Sequence, residues 1–163
     1  MPFRRRKAVI YVGRPEDKYV KIPAIVHATR IGYKYLSIHG LEPGKDYDPD
    51  TNIFYEQFQE AVERINGRSV DLPRAAYLIN QLKLSLGASD LGQAFFKCLQ
   101  VGVEGYRLVD FDDPRNNSFH VVTELPYANG EDSFRPDIIF LVNGMPLGFM
   151  EAKRQNNKDG IQA

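Results

Sequence analysis

Arg135-Pro136-Asp137-Ile138-Ile139-Phe140-Leu141-Val142, then Asn143-Gly144-Met145-Pro146, then Leu147-Gly148-Phe149-Met150-Glu151-Ala152-Lys153 is the stretch that decides the fold. An apolar run starts at an acid, turns through Asn-Gly, the strongest short signal for a hairpin, and returns as an apolar run ending acid-x-lysine. A hairpin sets the start of its first strand beside the end of its second, so Asp137 and Glu151 become neighbours. Glu151 and Lys153, two residues apart, face the same side. Register imposes a condition. A two-residue Asn143-Gly144 turn pairs Val142 with Met145, and hence Asp137 with Met150, leaving Glu151 on the opposite face; an odd-length loop or a bulge restores the match. Pro146 lacks an N–H for the ladder and favours the longer loop.

Two carboxylates at one point repel, which raises the affinity for a hard divalent cation. Magnesium typically takes one or two carboxylates plus substrate phosphate oxygens, and manganese is a plausible substitute. Asp137 and Glu151 are the candidate ligands, and the backbone carbonyl of Ala152 can add a third. Such a centre activates water against a phosphodiester, with the Lys153 ammonium orienting that water or neutralising developing charge. An acid-x-lysine triplet alone more often marks a solvated strand end. Here it follows directly on the apolar run Leu147 to Met150, where a plain surface strand would alternate.

Working outward, the Tyr106–Met150 region holds further β-rich runs at Leu108-Val109 and at Phe119, Val121 and Val122, separated by Asp-Pro-Asn and Gly-rich turns. The front half is mainly helical. Tyr19, Ile22, Ile25 and Val26 recur at helical spacing between Glu16 and Ile31, with Pro23 near the start or at a kink. Gly40 to Asp50 reads as an exposed loop. Asp50 or Thr51 can cap a helix presenting Phe54, Phe58, Ala61, Val62 and Ile65 on one face, closed by Asn66-Gly67. Further helices cover about Pro73 to Ser85 and Leu91 to Leu99, and Ala8 to Val12 is a short β-like run. The expected fold is α/β, a mixed and largely antiparallel central sheet flanked by helices. The 163 residues form one domain, 1–104 mainly helical and 105–157 carrying the sheet.

The chain is 43% hydrophobic and 26% charged, the balance of a globular protein. Basic and acidic residues number 21 each, so composition alone points to no nucleic acid; an acidic metal site concentrates carboxylates, and a larger assembly can supply a basic groove. The single cysteine, Cys98, sits in an apolar run and suits a reducing cytoplasm. No apolar stretch is long enough to span a bilayer, and Arg4-Arg5-Arg6-Lys7 is followed by no signal-peptide pattern.

Several blocks together resemble the N-terminal nuclease region of the restriction (motor) subunit of type I restriction-modification enzymes. They are Leu108 to Val122, Arg135-Pro136-Asp137-Ile138, Val142 to Leu147, and Glu151-Ala152-Lys153. Residues 105–157 carry the likeness well and the front half only loosely, through Ile31-Gly32-Tyr33. The resemblance implies a PD-(D/E)xK (restriction-endonuclease-like) core, magnesium dependence and a first-helix acid near the metal. Glu16 is the positional candidate for that acid, against the plainer role of starting a helix where negative charge suits the dipole. It also implies double-stranded DNA as substrate and methyltransferase and specificity subunits as partners. The chain then reads as the front part of a longer protein whose following motor would bind ATP. The family tends to carry Asn-Gln where this chain has Thr123-Glu124, and its Gln-x-x-x-Tyr motif after the lysine is not contained in residues 1–163.

Other constellations read more plainly. Asp110, Asp112 and Asp113 lack the spacing of a calcium loop and suit a turn capped by Asp-Pro and an Asn pair. His27, His39 and His120 have no metal-ligand spacing. Gly40 and Gly44-Lys45-Asp46 fail as a Walker loop because the glycines are too close and Asp46 replaces Ser or Thr, so no ATP site is expected here. Two functions from different classes remain: a type I site-specific endodeoxyribonuclease module, and a catalytically silent domain docking a motor to its partner subunits.

Overall fold

A computed structural model describes residues 20–129 and 132–152. The Ala8–Val12 run lies outside the described residues, as does the Glu16–Tyr19 start of the expected first helix. The helix itself, α1, spans Ile22–Arg30 and is entered through a π-type turn at Val20–Lys21. Pro23 lies in its first turn, where a missing N–H leaves no helical bond unmade. A two-residue strand follows, β1 (Lys34–Tyr35), too short to leave a pattern in the sequence.

Helix α2 (Tyr55–Asn66) buries Phe58, Ala61 and Val62 and ends on Gly67 in the left-handed region, φ 61°. The expected cap at Asp50 or Thr51 does not form. Asp48 Oδ1 instead accepts from the N–H groups of Asp50 and Thr51 and from the Thr51 hydroxyl, tying off a turn before the helix, and Phe54 occupies the cap position. The loop ahead is not exposed throughout either: Tyr47 and Asp48 are buried, Tyr47 against the Phe54 ring at 5.3 Å. Helix α3 spans Leu72–Leu86, capped by Asp71, whose carboxylate accepts from the Arg74 N–H at 2.8 Å. Helix α4 spans Gln93–Val101. Phe58, Val62, Leu78, Ile79 and Leu82 form the heart of the helical core.

Leu108 and Val109 are buried but form no strand. The Leu108 carbonyl accepts from the Asn143 side chain at 2.8 Å, which takes the place of a sheet neighbour. Strands β2 (Phe119–Thr123), β5 (Ile138–Val142) and β6 (Met145–Met150) join β1 in the order β1-β2-β5-β6, with β1 parallel to β2 and the rest antiparallel. A separate hairpin pairs β3 (Tyr127–Asn129) with β4 (Asp132–Phe134). Val122, Ile139 and Leu141 cluster with Tyr47 and Phe54, while Val121 and Ile138 meet Ala28 of α1. Helices from the first half thus cover a mixed, largely antiparallel sheet, as the sequence leads one to expect.

The hairpin departs from expectation in its loop. Asn143 (φ 52°) and Gly144 (φ 76°) form a two-residue turn with Val142 opposite Met145, not a longer loop. Register is recovered by a bulge: Leu141 pairs with Pro146 and Phe140 with Gly148, leaving Leu147 extra. Pro146 sits beside that bulge on the sheet's outer strand among the described residues, where a missing N–H costs least.

Asn143 is fully buried. Its Oδ1 accepts from the Ser118 N–H at 2.7 Å, and its Nδ2 donates to the Leu108 carbonyl and to Asn117 Oδ1, both at 2.8 Å. The next residue, Gly144, offers its carbonyl to the Phe54 N–H at 3.0 Å. A Cβ on Gly144 would lie 2.8 Å from both the Phe54 carbonyl oxygen and the Phe58 nitrogen, so the turn can approach α2 only as glycine. Asn117 continues the network, accepting the Asp110 N–H and donating to the Asp110 carbonyl.

The Asp110 carboxylate is filled by donors: the N–H groups of Asp112 and Asp113, the Arg107 guanidinium and the Asn116 amide. The Asn116 hydrogen bond leads in holding its pKa down, to about 2, followed by the Asp113 N–H.

Two outcomes follow for stability. Asn143→Ala strips paired groups from a dry site and should lower unfolding free energy by about 3 kcal/mol, read as a shifted denaturation midpoint at unchanged slope. A carboxyl with a depressed folded pKa stabilises above its unfolded pKa and loses that contribution as pH falls toward the folded one. Wild type should therefore lose stability between about pH 4 and pH 2 more steeply than Asp110→Asn, measured by thermal melts across that range.

Candidate active site

The bulge at Leu147 determines what faces what at the open end of the hairpin. The ladder ends with Ile138 paired to Met150, so Asp137 and Glu151 are the next residue on each side of the hairpin's end. The Ala152 N–H donates to Asp137 Oδ2 at 2.7 Å, closing the strand ends together. Glu151 is exposed and Ala152 partly buried. The apolar run before them is less buried than its composition suggests. Leu147, Phe149 and Met150 are exposed, with Phe149 packed edge-on against Phe134 of β4 at 5.1 Å.

Asp137 has a second neighbour from the far end of the chain. Lys21, just ahead of α1, places Nζ 2.8 Å from Asp137 Oδ1 and 2.8 Å from Glu124 Oε1. Its side chain is only 11% exposed, so this contact is not a solvent-screened surface pair. Glu124 directly follows β2 with φ 56°, its N–H donating to the Asp137 carbonyl at 3.3 Å. Arg135 reaches the other Glu124 oxygen at 4.0 Å. Burial pushes the Asp137 carboxyl up, but the Lys21 hydrogen bond, the Ala152 N–H and the ammonium charge outweigh it and hold the group below the usual aspartate range. The Glu151 side chain contributes in the same direction.

Asp137, Glu151 and Ala152 are therefore brought together as the hairpin reading requires, while Glu16 and Lys153 lie outside the described residues. Among the described residues no group of three acids, histidines or cysteines is arranged to hold a metal. Lys21 and Glu124 were not legible as site residues. One signal existed for Lys21: a cation at the N-terminal end of a helix, where the dipole favours acids, calls for a carboxylate partner elsewhere. Glu124 was marked only as a departure from the family's Asn-Gln pair, with no partner implied.

A groove of about 700 Å³ lies nearby, lined by Lys83, Leu86, Tyr127, Phe134, Pro136 and Phe149 among others. Neither Asp137 nor Glu151 lines it. No helix among the described residues is long and apolar enough to cross a membrane.

Comparison with known proteins gives a consistent answer. Residues 14–163 match the family model described as type I restriction enzyme R protein N terminus. The chain is 35% identical over 154 residues to the type I restriction enzyme HindI endonuclease subunit of Haemophilus influenzae, covering 80% of this chain and 14% of that protein. It is 26% identical over 161 residues to the MjaIXP endonuclease subunit of Methanocaldococcus jannaschii, provisionally named a type I restriction enzyme, covering 85% and 15% respectively. The chain thus spans about a seventh of the length of each of these relatives. With the acid-bearing hairpin, the mixed sheet and the family match in agreement, this chain belongs to the type I restriction enzyme R protein N-terminal family.

Proposed function

We propose that the chain is a metal-dependent nuclease module of the PD-(D/E)xK type that cleaves double-stranded DNA within a type I restriction enzyme. The observation that supports this reading is the Leu147 bulge, which pairs Ile138 with Met150 and so leaves Asp137 and Glu151 as the next residue on each strand. The donor chemistry fits magnesium or manganese, hard ions that take carboxylate oxygens and need only one or two protein carboxylates when a phosphate completes the shell. In this reading Asp137 and Glu151 would hold the ion, with the Ala152 carbonyl and Glu16, and the chemistry it would supply is polarisation of the scissile phosphate and a more acidic bound water.

The residues of the chain do the rest. The Ala152 N–H donates to Asp137 Oδ2 and holds the carboxylate in place. Lys153 orients the attacking water or offsets charge developing on the phosphate. Translocation and ATP hydrolysis would come from other parts of a longer subunit, and methyltransferase and specificity subunits would be its partners.

One observation favours the rival docking module: both Asp137 oxygens already have internal partners, Lys21 and the Ala152 N–H. Calorimetry with magnesium or manganese separates the two. Binding by wild type that disappears in Asp137→Ala supports the nuclease, and no binding by either protein supports docking. In the complete restriction subunit with its partners, Lys153→Ala should keep metal binding and lose cleavage by about 10²–10³-fold, because ammonium is not a metal ligand. Glu151→Ala should lose both. Wild-type cutting by Lys153→Ala would remove that residue from the chemistry.

A further inference from the structure

Two carboxylates share one ammonium at the end of the hairpin. Lys21 Nζ stands 2.8 Å from Asp137 Oδ1 and from Glu124 Oε1, on a side chain 11% exposed. The main chain holds the two acids adjacent, through the Glu124 N–H on the Asp137 carbonyl. Glu124 accepts a left-handed backbone, φ 56°, unusual and strained for a glutamate, in order to sit there. Glu151 follows Met150, the last paired residue of β6, and its side chain also bears on Asp137. Without a nearby cation, these acids at a half-buried strand end would repel one another.

We propose that Lys21 is a tethered cation that neutralises Asp137 in the metal-free protein, competes with a divalent ion for that carboxylate, and falls back on Glu124 when the ion binds. The proposal rests on reading Asp137 as a metal ligand. Its logic is electrostatic. An ammonium 2.8 Å from Oδ1 uses the oxygen an ion would need, and a divalent charge brought beside it is repelled in a weakly screened site. Glu124, with Arg135 4.0 Å from its other oxygen, gives the displaced ammonium an anchor, so the lysine need not be driven fully into water. Lys21 is in this sense a positioning residue: it holds the acid end of the hairpin assembled and sets the metal concentration at which the site fills.

The test uses the complete chain and manganese alone, with affinity from the paramagnetic signal of free ion and stability from thermal melts with and without metal. Lys21→Met should bind manganese about tenfold or more tightly than wild type, while melting lower without metal and gaining more from it. Lys21→Arg, which keeps a cation, should restore wild-type affinity and metal-free stability. Glu124→Gln should weaken binding in the wild-type background and change it little beside Lys21→Met, because Glu124 acts through the lysine.

Unchanged or weaker affinity in a folded Lys21→Met, with binding still abolished by Asp137→Asn, overturns the role of Lys21 and leaves the metal reading standing. Equal losses from Glu124→Gln in both backgrounds overturn the fallback role of Glu124. If neither wild type nor Lys21→Met binds manganese while both stay folded, the metal reading fails and the proposal fails with it.

Discussion

The turn at Asn143-Gly144 is the joint on which the fold depends. Every polar atom of the buried Asn143 side chain is engaged, and its partners come from two separate stretches, at Leu108 and at Asn117-Ser118. Gly144 adds α2, through its carbonyl on the Phe54 N–H and through a clearance no side chain could occupy. One dipeptide therefore ties the hairpin to the helical core, to the strand beside it and to the Asp110 loop. A buried amide is costly unless fully satisfied, so only the native arrangement of all these segments recovers the loss. This sets the depth of the hairpin tip, and with it the position of its open end.

From that fixed tip, geometry runs outward along two strands to the acids. The extra residue at Leu147 shifts the register so that Ile138 pairs with Met150, and Asp137 and Glu151 come next on either side. Charge then accumulates at a single corner, and the fold answers it locally with the Ala152 N–H and from afar with Lys21. Precision at the acid end is borrowed from packing at the turn.

How far this was legible depends on whether the controlling interaction was local. The hairpin, the acid pair, α2 with its Gly67 terminus and α3 behind Pro73 were readable because turn chemistry and periodicity lie in adjacent residues. The Asp110 to Asn117 segment was readable as a turn for the same reason. Leu108-Val109 misled because an apolar pair looks alike whether a strand or an asparagine side chain satisfies its carbonyls. The helix cap misled because Asp48 competed for the N–H groups that Asp50 or Thr51 was expected to organise. Pro146 pointed to a longer loop, since sequence cannot tell a loop from a bulge when both restore the same parity. Lys21 and Glu124 were invisible as a pair because nothing local links residues 103 positions apart.

That separation has a consequence for how the chain acquires its shape during synthesis. At ribosomal speeds of roughly 5–20 residues per second, the interval between the emergence of Lys21 and of Glu124 is about 5–20 s. β1 waits in the same way, since its partner in the sheet is β2. The helices α2 to α4 can nucleate in the meantime, because their contacts are local. The segment around α1 and β1 thus spends those seconds as a nascent chain with its partners not yet made, available to whatever meets polypeptides at the exit tunnel.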